Sequence, residues 1–396
     1  MNLKQLIYKI ALLICAGTAN AQTWTAQVSN VTADLKGVYF GTTQDGVAVG
    51  LNGTITKTVD GGATWTPQFS GVTVNLFGVH YSSAQRVYAV GVGGTIIASI
   101  DGGVQWTVKN SGTTNILYDV FFVSQTTGWA VGENGTILHT MNAGNNWIAQ
   151  TSGTSEILNS VFFISPTEGW VAGNDNTILH TTDMGMTWTA QSAPYGSYRD
   201  IRFISATKGW ACGGGSGTTI VTTDDGGQTW TQLPYGFTPY MMAIHFASPL
   251  VGWGTVATSI VNYNTLRNST DGGLSWTQVN TPIPMSGEDI FFMNASNGWL
   301  VGSEGKILKY SAPVGLNEIS EMGISVYPNP STQYVIFGNV TDPLLVEIKN
   351  ELGQPVFIKK ISASEPQLDI RSLPNGFYLI RISDEDLTAT IKFVKQ

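Results

Sequence analysis

Apolar residues recur along most of the chain in short alternating runs, separated by glycine-rich turns. One run reads Val38-Tyr-Phe40 and the next reads Val47-Ala-Val-Gly50, and equivalent pairs recur about every 41 residues. Runs of this length with a period of two predict β-strands. A third apolar run and a tryptophan complete each unit. The unit-closing tryptophans are spaced 41, 41, 41, 41, 42 and 46 residues apart: Trp24, Trp65, Trp106, Trp147, Trp188, Trp230 and Trp276.

Six of these tryptophans close a turn motif of the form Asp-Gly-Gly-x-Thr-Trp, as in Asp60 to Trp65. Glycine supplies the positive φ of a tight hairpin, and the short acidic side chain can accept backbone N–H groups within the turn. Since the Asp or Asn at the start of the motif recurs in nearly every unit, we assign it a structural role. The six residues are Asp60, Asp101, Asn142, Asp183, Asp225 and Asp271. The motif resembles the Asp-box, or BNR repeat, of β-propellers.

Four short strands in every 40 to 46 residues are typical of a propeller blade. Glu288 to Tyr310 supplies only the first three strands of a last blade, whereas Thr23 to Gln27 is a fourth strand without a blade. Pairing these two segments closes the ring and removes its open edges. The sequence therefore predicts an all-β chain with a seven-bladed propeller over residues 22–310.

The first 21 residues carry two lysines, an apolar run and Ala19-Asn-Ala21, which predicts a secretory signal peptide. Cys15 lies within that segment and leaves Cys212, so no intrachain disulfide is expected in the mature protein. No later stretch is long enough to predict a transmembrane helix. The 19 Lys and Arg residues are outnumbered by 27 Asp and Glu residues, for a net charge of −8, which argues against nucleic acid as a partner.

Composition changes after Tyr310. Residues 311–322 read as a polar linker, and residues 323–396 lose tryptophan and most glycine and predict about seven strands of a small β-sandwich. The segment resembles the type A C-terminal sorting domain of the type IX secretion system of Bacteroidota. The matching residues are Tyr327, Pro328, Asn329, Pro330, Asn375, Gly376, Tyr378, Lys392 and Lys395. The resemblance implies Sec export, recognition of residues 323–396 by the outer-membrane translocon, and release or surface attachment of the cargo.

Candidate catalytic groups were sought because Asp-box propellers include sialidases. The propeller has four arginines, Arg86, Arg199, Arg202 and Arg267, and lacks the early Arg-Ile-Pro segment of those enzymes. Other glycoside hydrolases need two facing carboxylates, for which the inner strands offer Asp119, Asp200, Glu288 and Asp289. These residues are equally explained as solvated channel positions. His139 and His180 share one repeat position, and His80 and His245 share another with Phe121, so we predict no metal and no cofactor. Because no carboxylate pair stands out either, we predict no enzymatic activity.

A binding surface is expected where the repeats differ, around the channel on the face opposite the Asp-box turns. The differences are greatest in blades five and six, where aromatic residues could form a platform for a protein or glycan or could simply pack long loops. The candidate partner-binding residues are Tyr118, Tyr195, Tyr198, Arg199, Tyr235, Phe237, Tyr240, Met242 and Tyr263.

Residues 23–310 also resemble the photosystem II assembly and stability factor family, whose propellers repeat the same Gly-Trp-x-x-Gly and Asp-Gly-Gly-x-Thr-Trp units. The resemblance implies a seven-bladed, non-catalytic, protein-binding propeller, although the arginine patch of that family has no counterpart here. Three hypotheses follow: a secreted or surface-displayed binding propeller, a carbohydrate-active enzyme with its site at the channel mouth, and an assembly scaffold.

Overall fold

The protein was analysed as a computed structural model. It describes residues 23–214, 218–234, 240–256, 265–294, 297–311, 324–327, 331–338, 340, 343–350, 354–383 and 388–395. The predicted signal peptide, the linker after Ser311, and Tyr235, Phe237, Tyr263 and Pro328 to Pro330 lie outside these residues. The chain divides into two compact units, one comprising residues 24–293 and 297–310 and the other containing the C-terminal strands.

Seven four-stranded antiparallel sheets form the first unit, as predicted for a seven-bladed propeller. The inner strands are β2 (Leu35–Phe40), β6 (Leu76–Ser83), β10 (Leu117–Phe122), β14 (Leu158–Phe163), β18 (Ser197–Phe203), β22 (Met241–Phe246) and β26 (Gly287–Asn294). The second strands are β3 (Gly46–Gly50), β7 (Arg86–Gly91), β11 (Gly128–Gly132), β15 (Gly169–Gly173), β19 (Gly209–Gly214), β23 (Gly252–Val256) and β27 (Asn297–Gly302).

The third strands are β4 (Ile55–Thr58), β8 (Ile96–Ser99), β12 (Ile137–Thr140), β16 (Ile178–Thr181), β20 (Thr218–Thr223), β24 (Leu266–Ser269) and β28 (Ile307–Ser311). The outer strands of blades one to six are β5 (Thr66–Gln68), β9 (Thr107–Lys109), β13 (Ile148–Gln150), β17 (Thr189–Ala190), β21 (Thr231–Gln232) and β25 (Thr277–Gln278). The outer strand of blade seven is the N-terminal β1 (Thr23–Gln27), which pairs with β28. The predicted closure of the ring is therefore confirmed.

One aromatic arrangement recurs between neighbouring blades. The indole of Trp129, on the second strand of blade three, stacks on Phe163 of blade four with ring centroids 3.6 Å apart. Trp188, the Asp-box tryptophan of blade four, meets the same phenylalanine edge-on at 6.0 Å. The Trp129 Nε1–H also donates to the Met184 carbonyl in the Asp-box turn of blade four. Both geometries are favourable for aromatic rings, so the interface between blades three and four is fixed by packing and by a hydrogen bond.

Seven strands form two sheets in the C-terminal unit, in agreement with the predicted small sandwich. One sheet has the order β29-β30-β33 and the other the order β32-β31-β34-β35. Side chains from both sheets, among them Val335, Phe337, Ile348 and Ile380, share one buried core. The strands are β29 (Ser325–Tyr327), β30 (Tyr334–Gly338), β31 (Leu344–Lys349), β32 (Pro355–Ile361), β33 (Gln367–Asp369), β34 (Gly376–Ser383) and β35 (Thr388–Lys395).

Within the residues that the structure describes, no helix has the length and apolar character needed to cross a bilayer.

Closure of the ring by β1 generates a stability prediction. Trp24 is buried against Trp253 of blade six and against Phe292 and Tyr310 of blade seven. Truncation to alanine leaves a cavity at this seam, so we expect Trp24→Ala to lower the free energy of unfolding by about 3 to 5 kcal/mol, measured by urea denaturation. Ala26→Ser, on an exposed position of the same strand, is the control. A loss in Trp24→Ala no larger than in the control would show that β1 does not stabilise the ring.

Candidate functional site

The channel mouth is built by a bulge at the start of the inner strands. In blade one, Leu35 pairs with Gly50 and Gly37 pairs with Val49, so Lys36 is an extra residue on the inner strand. The same shift occurs in blades two to six. A bulge re-aims the side chains beside it, and the extra residue lines the channel in each of these six blades. In blades three to six the next residue also contributes a side chain to the channel, whereas blades one and two have Gly37 and Gly78 at that position.

The outermost ring of the channel is chemically mixed. It consists of the extra residues of the bulges and their equivalent in blade seven: Lys36, Phe77, Tyr118, Asn159, Arg199, Met242 and Glu288. Lys36 Nζ lies 2.9 Å from Glu288 Oε1 and 3.7 Å from Asp34 Oδ2. The predicted candidate Glu288 is therefore engaged in an ion pair between blades seven and one.

The three other candidate carboxylates form hydrogen bonds between blades. Asp119 of blade three accepts the Val161 amide of blade four at 2.9 Å. Asp200 of blade five likewise accepts the Ile244 amide of blade six at 3.0 Å. Asp289 of blade seven accepts the Val38 amide of blade one at 2.9 Å. Each of the three also accepts the amide of the residue that follows it. Their acceptor oxygens are occupied by the scaffold, as expected of structural residues.

Arg202 lines the channel together with these carboxylates, a role that its sequence position did not predict. Its Nε is 3.4 Å from Asp200 Oδ1. Burial acts to lower the pKa of the guanidinium, but the charges of Asp200, Asp119 and Asp289 outweigh it and raise the pKa. The available signal was its place in the repeat, where the other blades carry uncharged rings: Tyr39, His80, Phe121, Phe162, His245 and Phe291.

Two of the carboxylates have raised pKa values. Burial raises the pKa of Asp119 to about 6, against the lowering effects of Arg202 and the Val161 amide. Burial also raises the pKa of Asp289 to about 7, again opposed by Arg202. The pKa of His80 falls to about 3, because burial and the nearby Arg202 charge both disfavour imidazolium. His80 packs between Tyr39 and Phe121, at centroid distances of 4.2 and 4.5 Å with the rings tilted by 42° and 48°, and is held as a neutral ring.

The cavity at the channel mouth has a volume of about 120 Å³. Pockets for small-molecule ligands are usually between about 300 and 1,000 Å³. Among the described residues, no cluster of three or more His, Cys, Asp and Glu side chains has the arrangement of a metal site. The space can hold a few water molecules or one inserted side chain.

Tyr198 was predicted to lie on the binding surface, and this prediction is wrong. Its side chain is fully buried in the core between blades four and five, and its hydroxyl donates to the Pro194 carbonyl. Tyr198 pairs with Gly213 just before the bulge, and the other blades place apolar residues at this position: Leu35, Leu76, Leu117, Leu158 and Met241. It is a core residue of the repeat and cannot contact a partner.

The remaining described candidates separate into two groups. Tyr118 and Met242 line the channel mouth. Tyr195 and Tyr240 are exposed, at 68% and 51%. A cleft of about 200 Å³ is lined by Ser197, Arg199, Gly214 and Tyr240. The Tyr240 ring lies directly over Gly214, where a Cβ atom would collide with it.

Arg199 is the exposed cation of this cleft. Its Nη1 donates to Asn159 Oδ1 at 3.4 Å. No carboxylate among the described residues forms an ion pair with it. The positive charge at the mouth of blade five is therefore left uncompensated in a chain of net charge −8.

The Asp-box aspartates bond within their own turns. Asp60 Oδ1 accepts the Thr58 hydroxyl at 2.8 Å and the Thr64 amide at 2.8 Å, and Oδ2 accepts the Thr64 hydroxyl at 2.6 Å. The Thr64 bonds lower the pKa of Asp60 to about 2. The same hydroxyl-to-Oδ1 contact recurs at Asp101, Asn142, Asp183, Asp225 and Asp271.

Five of the predicted sorting residues, Asn375, Gly376, Tyr378, Lys392 and Lys395, lie on or next to the paired strands β34 and β35, whereas Tyr327 lies on β29 of the other sheet. Tyr378 is buried and its hydroxyl donates to the Pro374 carbonyl at 2.8 Å. Lys395 is buried, and its Nζ lies 3.5 Å from Asn375 Oδ1. Gly376 pairs with Lys395, and Leu379 pairs with Lys392.

Comparisons with known proteins bear on both units. Residues 68–139 and 104–193 match the family model of the photosynthesis system II assembly factor YCF48, and residues 325–396 match that of the secretion system C-terminal sorting domain. The propeller resembles YCF48, and the C-terminal unit resembles a type IX sorting domain. Both predicted resemblances are confirmed. No curated protein matches the chain by sequence.

Solved structures support the fold. YCF48 bound to D1 peptide and YCF48 from Cyanidioschyzon merolae each superpose with a TM-score of 0.62 at 19% identity, covering 73% of this chain and 97% and 99% of theirs. The WD40 propeller domain of Doa1 gives a TM-score of 0.56 at 14% identity, covering 72% of this chain and 97% of its own. Identities this low show a shared propeller fold alone.

The neutral state of His80 generates a pH prediction. Its folded pKa of about 3 lies below the ordinary value of 6.5. Its contribution to stability is therefore full above pH 6.5 and is lost as the pH falls toward 3, because the unfolded chain binds a proton that the folded ring excludes. The variant His80→Phe has the residue that blade three carries at Phe121. When the pH is lowered from 8 to 5, we expect its free energy of unfolding to rise by about 2 kcal/mol relative to that of the parent, measured by urea denaturation.

The raised pKa values of Asp119 and Asp289 act in the opposite direction, since their contribution is present at acid pH and lost as the pH rises through 6 and 7. Both residues are unchanged in His80→Phe, so the difference from the parent isolates the imidazole. Phe121→His is the reciprocal control and should become less stable at pH 5 than at pH 8. A stability difference between His80→Phe and the parent that does not vary with pH would contradict the interpretation.

Proposed function

We propose that this protein is an exported, non-catalytic propeller that binds an acidic segment of another protein at the channel mouth of blades five and six. The observation that carries the proposal is the exposed Arg199 beside Tyr240, in a cleft of about 200 Å³. The C-terminal unit acts as the signal for type IX secretion, as its resemblance to the sorting domain supports.

Charge favours an acidic ligand at this cleft. Lys36 is neutralised by Glu288, and Arg202 is surrounded by three aspartates. Arg199 is therefore the cation that remains for a ligand, and a guanidinium binds a carboxylate through two parallel hydrogen bonds. The carboxylate can come from an aspartate or glutamate side chain or from a free C-terminus.

Aromatic surface beside the arginine favours a peptide over a small ion. Tyr240 and Tyr195 are exposed and stiff, so they offer contact area at low entropic cost. One of the similar solved structures is YCF48 bound to D1 peptide. That complex supports the idea that a propeller of this fold can bind a peptide.

The carboxylates of the channel support a structural role over a catalytic one. A raised pKa, as at Asp119 and Asp289, is what a glycosidase needs in its general acid. However, the oxygens of both residues accept backbone amides, and the cavity above them is about 120 Å³. A sugar ring and a water molecule would have to displace bonds that join the blades, so we propose that the protein does not hydrolyse glycosides.

Export is proposed to begin with cleavage after residue 21 and Sec-dependent transfer. The sorting domain would then bring the protein to the outer-membrane translocon, for secretion or surface attachment. A binding propeller outside the cell has its ligand among extracellular or surface proteins.

The ligand proposal is tested with the chain from residue 22 on an array of 15-residue peptides that differ in acidic content and in C-terminal amidation. We expect binding to acidic peptides, with at least a tenfold loss of affinity in Arg199→Ala and in Tyr240→Ala, and a smaller loss in Arg199→Lys. Lys109→Ala is the control, because it also removes a cation but lies on the outer strand β9. Loss of binding on amidation alone would identify the C-terminal carboxylate as the bound group.

Two results would overturn the proposal. One is unchanged peptide affinity in Arg199→Ala. The other is turnover of any chromogenic glycoside that disappears in Asp289→Asn, which would establish the enzyme hypothesis.

A further inference from the structure

The motif residues of the sorting domain are engaged in its own fold. Tyr378 and Lys395 are buried, and Asn375 contacts the Lys395 ammonium. The Ser331 amide donates to the Val394 carbonyl at 3.0 Å, which ties the segment before β30 to the last strand. These residues explain how the sandwich is held together. Because Tyr378 and Lys395 are buried, a partner that recognises the folded domain must contact other residues.

The outer face of the four-stranded sheet is unusually apolar for a surface. Strands β31, β32 and β34 alternate buried and exposed positions, and the exposed positions include large apolar side chains. In a sandwich the solvent-facing positions are normally polar. The exposed fractions range from 39% to 60% for Leu345, Val356, Ile358, Phe377 and Leu379.

Strand register places these side chains on adjacent strands. Glu347 pairs with Ile358 on one side and with Arg381 on the other, and Lys349 pairs with Leu379. Because side chains directly opposite each other in a sheet share one face, the apolar residues and the charged ones form one surface. A contiguous apolar patch of this kind marks an interaction site. We call it the outer sheet face.

Basic side chains border the outer sheet face. Among the described residues, Lys349, Lys360 and Arg381 lie on it with one acidic residue, Glu347, whose carboxylate is 3.3 Å from Lys349 Nζ and 3.9 Å from Arg381 Nη1. The face therefore carries a positive excess, whereas the whole chain has a net charge of −8. Complementarity requires a partner surface that is acidic around an apolar centre.

The β32 edge of the sheet is less suited to binding. Strand β32 is one of the two edge strands, and it begins with Pro355 and carries Lys359 and Lys360 near its end. Proline and lysine are the residues that protect sheet edges from pairing with another strand. On this side of the sheet the partner is therefore expected to contact the face.

From these observations, and resting on the proposed sorting function, we infer that the outer sheet face is the surface by which the translocon recognises this protein. Its partner is a protein surface with exposed apolar side chains framed by carboxylates. The motif residues act indirectly, by holding strands β34 and β35 in the sandwich.

The test uses the full chain, with its own N-terminal segment, expressed in a bacterium that has a type IX secretion system. The variant Ile358→Gln/Leu379→Gln removes apolar surface, and Lys360→Glu/Arg381→Glu reverses charge. We expect at least a fivefold fall in the extracellular and surface fraction of both, with full-length protein accumulating in the periplasm. Val108→Gln/Ile148→Gln, equally exposed apolar residues on the propeller, should be exported normally. Melting temperatures close to that of the parent confirm that the variants fold.

A chain lacking residues 323–396 separates the two levels of the hypothesis. If that chain is exported as well as the parent, the sorting function itself is wrong. If it is retained while both face variants are exported normally, the sorting function stands and the outer sheet face is wrong. Binding of the parent to vesicles of three parts phosphatidylcholine and one part phosphatidylglycerol, lost on charge reversal while export is normal, would also overturn the inference, because the face would then serve a lipid surface.

Discussion

The ring depends on one contact, the stacking of an indole or phenol from one blade on a phenylalanine of the next. Tyr88 on Phe122, Trp170 on Phe203, Trp210 on Phe246 and Trp299 on Phe40 repeat the geometry of Trp129 on Phe163, with centroid distances of 3.4 to 4.0 Å. Since each pair joins two neighbouring blades, it fixes their relative orientation at five of the seven interfaces. The positions that shape this interface are consequently the same in most repeats, and variation is confined to the channel and the loops.

The sequence was sufficient for the architecture because the architecture is repeated. A single Asp-Gly-Gly-x-Thr-Trp turn would be a weak signal, but six at nearly constant spacing determine the strand order of a blade. The unpaired strand Thr23 to Gln27 can then only complete the last blade. Closure required no knowledge of contacts. It followed from counting strands and from the cost of an open edge.

The site was less accessible because it depends on the register within a strand. Tyr198 looks like a loop aromatic beside Tyr195, yet it lies one residue before the bulge and points into the core. Arg202 was overlooked for the opposite reason. The equivalent residues of the other blades are uncharged rings, so nothing in the repeat indicated a role for a charged side chain. In the structure, the charges of Asp200, Asp119 and Asp289 act on Arg202. The alternation of apolar and polar residues predicts which face of a strand each side chain lies on. A bulge shifts that alternation by one residue, and the position of the bulge is known only from the pairing with the neighbouring strand.

Closure by the first strand also determines when the ring can form. The Thr25 hydroxyl bonds to the Lys309 carbonyl, 284 residues away, whereas most other pairings join strands of the same blade. Contacts between distant parts of a chain form slowly because loop entropy must be overcome first. Six blades can therefore fold in sequence order, each packing on the one before it, whereas the seventh is complete only when β1 pairs with β28. The propeller is therefore complete only when Thr23–Gln27 and Ile307–Ser311 are present in the same compartment, so a chain with only one of these segments available keeps an open ring.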